Sequence, residues 1–140
     1  MQPIEPALPT IKRVLISQAE RSAMGGWVEG ITGYFEPRSV TVRRVYTGRE
    51  AIGAVDRGGI DAAILSTELP RMDGFSVLSI IRSIDKALPC VMVTSNASKH
   101  TLKRALELGA FSIITQPVDL EALTRVMAGL FRKCFDWELG

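Results

Sequence analysis

The sequence predicts an α/β fold, a single doubly wound, five-stranded parallel sheet with helices on both faces. Three observations carry this expectation. Five short runs rich in apolar or β-branched residues alternate strictly with stretches of helical periodicity. Several runs are almost continuously apolar, the pattern of strands buried on both faces of a parallel sheet. The chain has 140 residues, 46% of them hydrophobic, which suits one compact domain with a substantial core.

Each element has its own signal. Arg13-Val-Leu-Ile-Ser17 is a short apolar run and reads as a buried strand, followed by a helical stretch from about Glu20 to Phe35. Ser39 to Tyr46 alternates and is rich in valine and threonine, as a strand near the sheet edge would be. Thr47-Gly-Arg-Glu50 matches a capping box and opens a helix that runs to Gly58-Gly59. Ala62 to Ser66 is the third strand and Gly74 to Ile84 the third helix. Pro89 to Thr94 is the fourth strand, and a helix follows through about Leu108, ending at Gly109. Phe111 to Thr115 is the fifth strand; beyond Pro117, Asp119 caps a last helix reaching roughly Phe135. Right-handed crossovers reduce the topology most simply to a flavodoxin-like (βα)5 order, 2-1-3-4-5. Its functional crevice lies at the carboxyl ends of the central strands, which brings Gln18, Ala19, Ser66, Thr94 and Gln116 forward as the residues to examine.

Composition narrows the function. A net charge of +2 is too slight for a nucleic-acid binder with a concentrated basic face. No apolar run approaches the roughly 18 residues that span a bilayer. Residues 1–10 lack a basic and an apolar region, so they do not read as a signal peptide; Pro3, Pro6 and Pro9 suit an extended arm or a frayed leader. Cys90 and Cys134 are far apart, and His100 is the single histidine, so neither a disulfide nor a metal site is expected. These features suit a bacterial cytoplasmic protein. The expected organisation is a Pro-rich arm over 1–10, one domain over 11–136 and a tail over 137–140.

The stretch Asp61-Ala-Ala-Ile-Leu-Ser-Thr-Glu-Leu-Pro-Arg-Met-Asp-Gly74 resembles the central strand and following loop of a response-regulator receiver (CheY-like) domain. Further landmarks of that family fall in order: Leu69-Pro70, Met72-Asp73-Gly74, Thr94-Ser95, Gly109-Ala110 and Thr115-Gln116-Pro117. The resemblance covers nearly everything from Lys12 to Phe135. It implies phosphotransfer through an acidic pair after strand 1, an aspartate after strand 3, a threonine or serine after strand 4 and a lysine after strand 5. The carboxylates would hold Mg²⁺, which requires oxygen ligands, while metal and lysine neutralise the phosphoryl charge as the aspartate attacks. In this sequence the acidic pair aligns with Gln18 and Ala19, the acceptor with Ser66 and the lysine with Gln116. Thr94 alone matches the family pattern.

The expectation is therefore a degenerate pseudo-receiver without Mg²⁺ binding, metal or catalytic residues, and not an enzyme. Acid and base are lost together, so the crevice is neutral instead of holding an uncompensated charge. A hydrogen-bond network linking Gln18, Ser66, Thr94 and Gln116 would satisfy it. The family's aromatic switch position falls on Ile113, which has no polar tip, and the Gln116–Pro117 bond is expected to be cis.

With catalysis set aside, surfaces come forward. Lys99, His100, Lys103 and Arg104 form a basic run on the fourth helix, either a solvated face or a site for an acidic partner. Ala19, Ala23, Gly26, Gly30 and Gly33 share one face of the first helix, pointing either to close backbone approach or to a distorted helix. Met24, Trp27, Ile31 and Tyr34 flank that face as candidate core. Trp137 and Leu139 cap the core edge, extend the last helix or mark a junction. The leading expectation is a signalling module acting through protein contacts, with a histidine kinase, an output protein or a second copy through helix 4, strand 5 and helix 5 as partner. The alternatives are a variant sensing a neutral small molecule in the crevice and a regulator phosphorylated by a non-standard route.

Overall fold

Val14, Leu15 and Ile16 are all fully buried, which explains why the first strand shows no alternation: both of its faces are covered. The computed structural model describes residues 11–19 and 26–139. The elements are β1 (Lys12–Ser17), α1 (Gly26–Phe35), a 3₁₀ turn (Glu36–Arg38), β2 (Val40–Val45), α2 (Gly48–Asp56), β3 (Ala62–Ser66), β4 (Glu68–Leu69), β5 (Met72–Asp73), α3 (Gly74–Ile84), β6 (Cys90–Thr94), α4 (Lys99–Glu107), β7 (Ser112–Thr115) and α5 (Leu120–Phe135). The main sheet runs β2-β1-β3-β6-β7, parallel throughout. This is the expected 2-1-3-4-5 order, counted over the long strands.

Strand alternation divides the core into two layers. Leu15, Ala63, Leu65, Cys90 and Met92 face α2 and α3 with Val77, Leu78 and Ile81. Val14, Ile16, Ala62, Ile64, Val91 and Val93 face α1 and α5 with Ile31, Phe35, Met127 and Phe131. The starts of α2, α3, α4 and α5 are capped by side chains. Thr47 Oγ1 accepts from the Glu50 amide at 3.1 Å and Asp73 Oδ1 from the Ser76 amide at 3.0 Å. Ser98 Oγ accepts from the Thr101 amide at 3.2 Å, and Asp119 Oδ1 from the Glu121 amide at 3.0 Å.

The structure adds an element and corrects a reading. A two-stranded hairpin, β4–β5, stands between β3 and α3; two-residue strands are too short to carry a periodicity. On α1, Gly26 and Gly33 have nothing within 4 Å of where a Cβ would stand, and Gly30 meets only the Leu120 side chain. The small residues therefore do not bring α1 onto the sheet backbone, and the segment from Gly26 to Phe35 is regular helix. Trp27, Val28, Ile31 and Phe35 form its buried face, with Tyr34 half-buried. Ala23, Met24 and the expected helix start at Glu20 lie outside the described residues, as does the N-terminal arm. At the other end α5 stops at Phe135, and the tail folds back: the Trp137 amide donates to the Phe131 carbonyl at 3.2 Å and Leu139 is buried in the α1–α5 layer. Lys12 Nζ lies 4.4 Å from the Phe135 ring centroid and 5.4 Å from that of Trp137.

Candidate functional site

The carboxyl ends of the central strands gather five polar side chains at very low exposure: Ser17 (0%), Gln18 (2%), Ser66 (4%), Thr67 (9%) and Thr94 (2%). Ala19 and Gln116 are half-buried beside them in the chain's turns out of β1 and β7. Buried polar groups need partners, and the hydroxyls find theirs close by. Ser66 Oγ accepts from the Glu68 amide at 3.1 Å and donates to the Glu68 carbonyl at 3.3 Å. Thr94 Oγ1 accepts from the Asn96 amide at 3.1 Å and donates to the Asn96 carbonyl at 3.4 Å. Thr67 Oγ1 donates to Thr94 Oγ1 at 2.9 Å, tying the β3 loop to the end of β6.

The network expected from Gln18 to Ser66, Thr94 and Gln116 is therefore not the one formed. Short hydroxyl side chains at strand ends reach the backbone two residues on more readily than a neighbour across the crevice. Gln18 Oε1 is buried with no hydrogen-bond partner among the described residues. The Gln116 amide donates to the Thr94 carbonyl at 2.7 Å, and the Gln116–Pro117 peptide is cis. Ile113 is half-buried against the α2–α3 layer.

One contributor, Thr67, escaped the sequence reading. Thr67 sits beside Ser66 in sequence; adjacent residues at a strand end face opposite sides, so a pair of hydroxyls there serves two loops. Glu68 turns its carboxylate to Ser95: Oε1 accepts from the Ser95 amide at 3.0 Å and from the Ser95 hydroxyl. Among the described residues, no three His, Cys, Asp or Glu side chains cluster as a metal site.

The Met72-Asp73-Gly74 segment builds the loop that frames this crevice. The Gly74 amide donates to the Thr67 carbonyl at 2.9 Å, closing the loop around β4–β5. Partial burial works against the Asp73 carboxylate. Hydrogen bonds from the Ser76 amide and hydroxyl and the Phe75 amide, with the charge of Arg104, outweigh it and hold its pKa below the ordinary value.

The basic run on α4 is exposed, and its charges are partly engaged. His100, Lys103, Arg104 and Glu107 surround a shallow hollow of about 340 Å³. Lys103 Nζ lies 3.8 Å from Glu107, and the Arg104 guanidinium lies 4.6 Å from the Phe75 ring centroid. On the same helix, Leu106 is 65% exposed, an apolar side chain left to solvent.

Comparison with known proteins places this architecture. The response regulator receiver domain family matches residues 26–128. The regulatory protein VanR of Enterococcus faecium is 36% identical over 101 residues, 71% of this chain and 43% of that protein. The transcriptional regulatory protein TcrA of Mycobacterium tuberculosis is 34% identical over 93 residues, 66% of this chain and 37% of that one. The sensor histidine kinase RcsC of Salmonella typhi is 35% identical over 81 residues, 58% of this chain and 8% of the kinase. The chain thus spans less than half the length of these curated relatives. Among solved structures, a CheY-like receiver domain protein from Methanospirillum hungatei JF-1 matches with a TM-score of 0.80 at 20% identity, over 91% of this chain and 98% of that one. A two-component response regulator from Clostridium difficile matches at 0.78 and 22% identity, over 89% and 98%. At such identities the structural likeness speaks for the fold, and the sequence match for the family. The chain belongs to the response regulator receiver domain family.

Proposed function

We propose that this chain is a pseudo-receiver: a non-enzymatic module of bacterial two-component signalling that acts through protein contacts without aspartyl phosphorylation. The observation that carries this reading is the neutrality of the crevice, where Gln18, Ala19, Ser66 and Gln116 occupy the ends of β1, β3 and β7. A phosphoryl acceptor there would have to be Ser66, whose hydroxyl is already bonded to Glu68 backbone, and neither Gln18 nor Gln116 can serve it as a general base. The donor set suits Mg²⁺ poorly. A hard cation draws on carboxylate oxygens, and Glu68, the nearby acid among the described residues, is turned to Ser95.

Kinases and transcriptional regulators are among the relatives, so a histidine kinase or an output protein is the natural class of partner. The basic face of α4 (Lys99, His100, Lys103, Arg104) and its exposed Leu106 offer a contact surface, for such a partner or for a second copy through α4, β7 and α5. The setting is the cytoplasm; among the described residues no helix is long and apolar enough to cross a membrane.

A second reading, a variant sensing a neutral small molecule, is favoured by Gln18 Oε1, a buried acceptor with no partner among the described residues. Such a molecule would donate a hydrogen bond to that oxygen. Incubation with a small phosphodonor and Mg²⁺, read by intact mass, tests the main proposal. No phosphoryl adduct is expected; an adduct abolished by Ser66→Ala would overturn it and reveal the non-standard phosphorylation route. Thermal-shift screening of neutral metabolites, with hits lost on enlarging Ala19, would favour the second reading.

A further inference from the structure

The start of α2 and the β4–β5 hairpin form a second recess, separate from the α4 face. Thr47, Arg49, Pro70, Arg71 and Met72 line a groove of about 490 Å³ there. Pro70 and Met72 supply its apolar wall, and Arg49 and Arg71 are both exposed. The recess is held by close packing: a Cβ on Gly48 would stand 2.5 Å from Val77 Cγ2 and 3.4 Å from Met72 Sδ. The helix start thus rests on α3 through Val77 and on the hairpin through Met72, and packing sets the groove's two sides.

The charge on this groove is unanswered within the described residues. Among the described residues the ion pairs are made by Arg44, Lys103, Arg125 and Arg132, and Arg49 and Arg71 stand with the lysines and arginines that form none. Arg71 also occupies an unfavourable backbone position. It is the second central residue of the Pro70–Arg71 turn, with φ of 65°, where glycine or asparagine fits with less strain. The turn needs no side chain at that point, and the one present carries a guanidinium to the groove's edge.

We propose that this groove docks an acidic, leucine-bearing segment of a partner protein. Its carboxylates would pair with Arg49 and Arg71, whose planar forks suit bidentate contact, and its aliphatic side chain would cover Met72 and Pro70. The complementarity is of charge and apolarity together. It does not depend on whether the crevice takes up a phosphoryl group.

The test uses the full chain and a fluorescent, end-blocked peptide Gly-Glu-Leu-Glu-Glu-Leu-Glu-Gly, followed by anisotropy at low salt. Saturable binding is expected, weakened roughly tenfold when the glutamates are replaced by glutamine, as loss of a charge-assisted hydrogen bond predicts. Arg49→Ser and Arg71→Gly should each weaken it by a similar factor. Arg71→Gly should at the same time melt no lower than the wild type, which separates lost docking from lost folding. No saturable binding, or equal binding to the wild type and both variants, would overturn the proposal. So would displacement of the peptide by inorganic phosphate at equal concentration, which would make the groove a simple anion site.

Discussion

Gly74 lies directly against the carbonyl of Ser66: a Cβ on Gly74 would stand 2.0 Å from that oxygen and 2.6 Å from the Thr67 Cα. The first turn of α3 thus packs on the end of β3 with no room for a side chain, and both neighbours are backbone that cannot swing aside. Gly74→Ala should destabilise the domain by about 3 kcal/mol or more, the upper end of overpacking costs. Urea denaturation of the purified variant reads this, with a lower midpoint and an unchanged slope.

The α1 glycines should behave in the opposite way. Gly33 is helical, exposed and open around its Cβ direction, so Gly33→Ala should stabilise by about 0.5–1 kcal/mol through helix propensity alone. Gly30→Ala gains the same propensity but meets Leu120 Cδ2 at 2.7 Å. Leu120 is 38% exposed and can turn away, so that variant should be near neutral. Thermal melts of the two variants side by side check the difference.

Asp73 caps α3 through the Ser76 amide and hydroxyl, both at 3.0 Å. Asp73→Ala should cost about 1 kcal/mol at neutral pH. The folded-state pKa lies below the ordinary aspartate value of 3.8, so the carboxylate's stabilisation is present above 3.8 and is lost as pH falls through the folded value. The gap between wild type and variant in denaturation midpoint should therefore narrow below pH 3.8.

The two thiols should differ sharply in reactivity. Cys90 is buried in the sheet, and desolvation pushes its pKa up to about 12, whereas Cys134 is exposed on α5. Under native conditions a thiol reagent such as DTNB should titrate one equivalent rapidly, lost in Cys134→Ser. The second equivalent should appear only with denaturant.

Restoring the missing acid alone should not restore chemistry. Ser66→Asp places a carboxylate at a site that is 4% exposed, beside Gln18 and Ala19, without a lysine at residue 116. It should cost about 1–3 kcal/mol from burial of a poorly compensated polar group. No phosphoryl adduct should form with a small phosphodonor and Mg²⁺. Intact mass and a urea curve on the same sample read both outcomes.

Much of the architecture was legible because it is written locally. Continuous apolar runs such as Val14 to Ile16 and Cys90 to Val93 mark strands covered on both sides. Thr47 and Asp119 reach only two or three residues ahead to cap their helices. The α1 glycines show the limit of such reading. Their spacing fixes a shared helix face, but what lies beyond that face depends on how α1 and α5 pack.

By itself the sequence determined the five-unit parallel sheet, its landmarks and the neutral set Gln18, Ala19, Ser66 and Gln116. Periodicity and residue type decide burial and charge, and neither needs coordinates. Tertiary structure alone decided the bonds across the crevice: Thr67 to Thr94, 27 residues on, and the Glu68 carboxylate to Ser95. It also placed Arg49 and Arg71, 22 positions apart (71 − 49), on one groove. Hydrogen bonds and shared grooves depend on segments distant in the chain meeting to within a few tenths of an ångström, and that is set by how the layers pack.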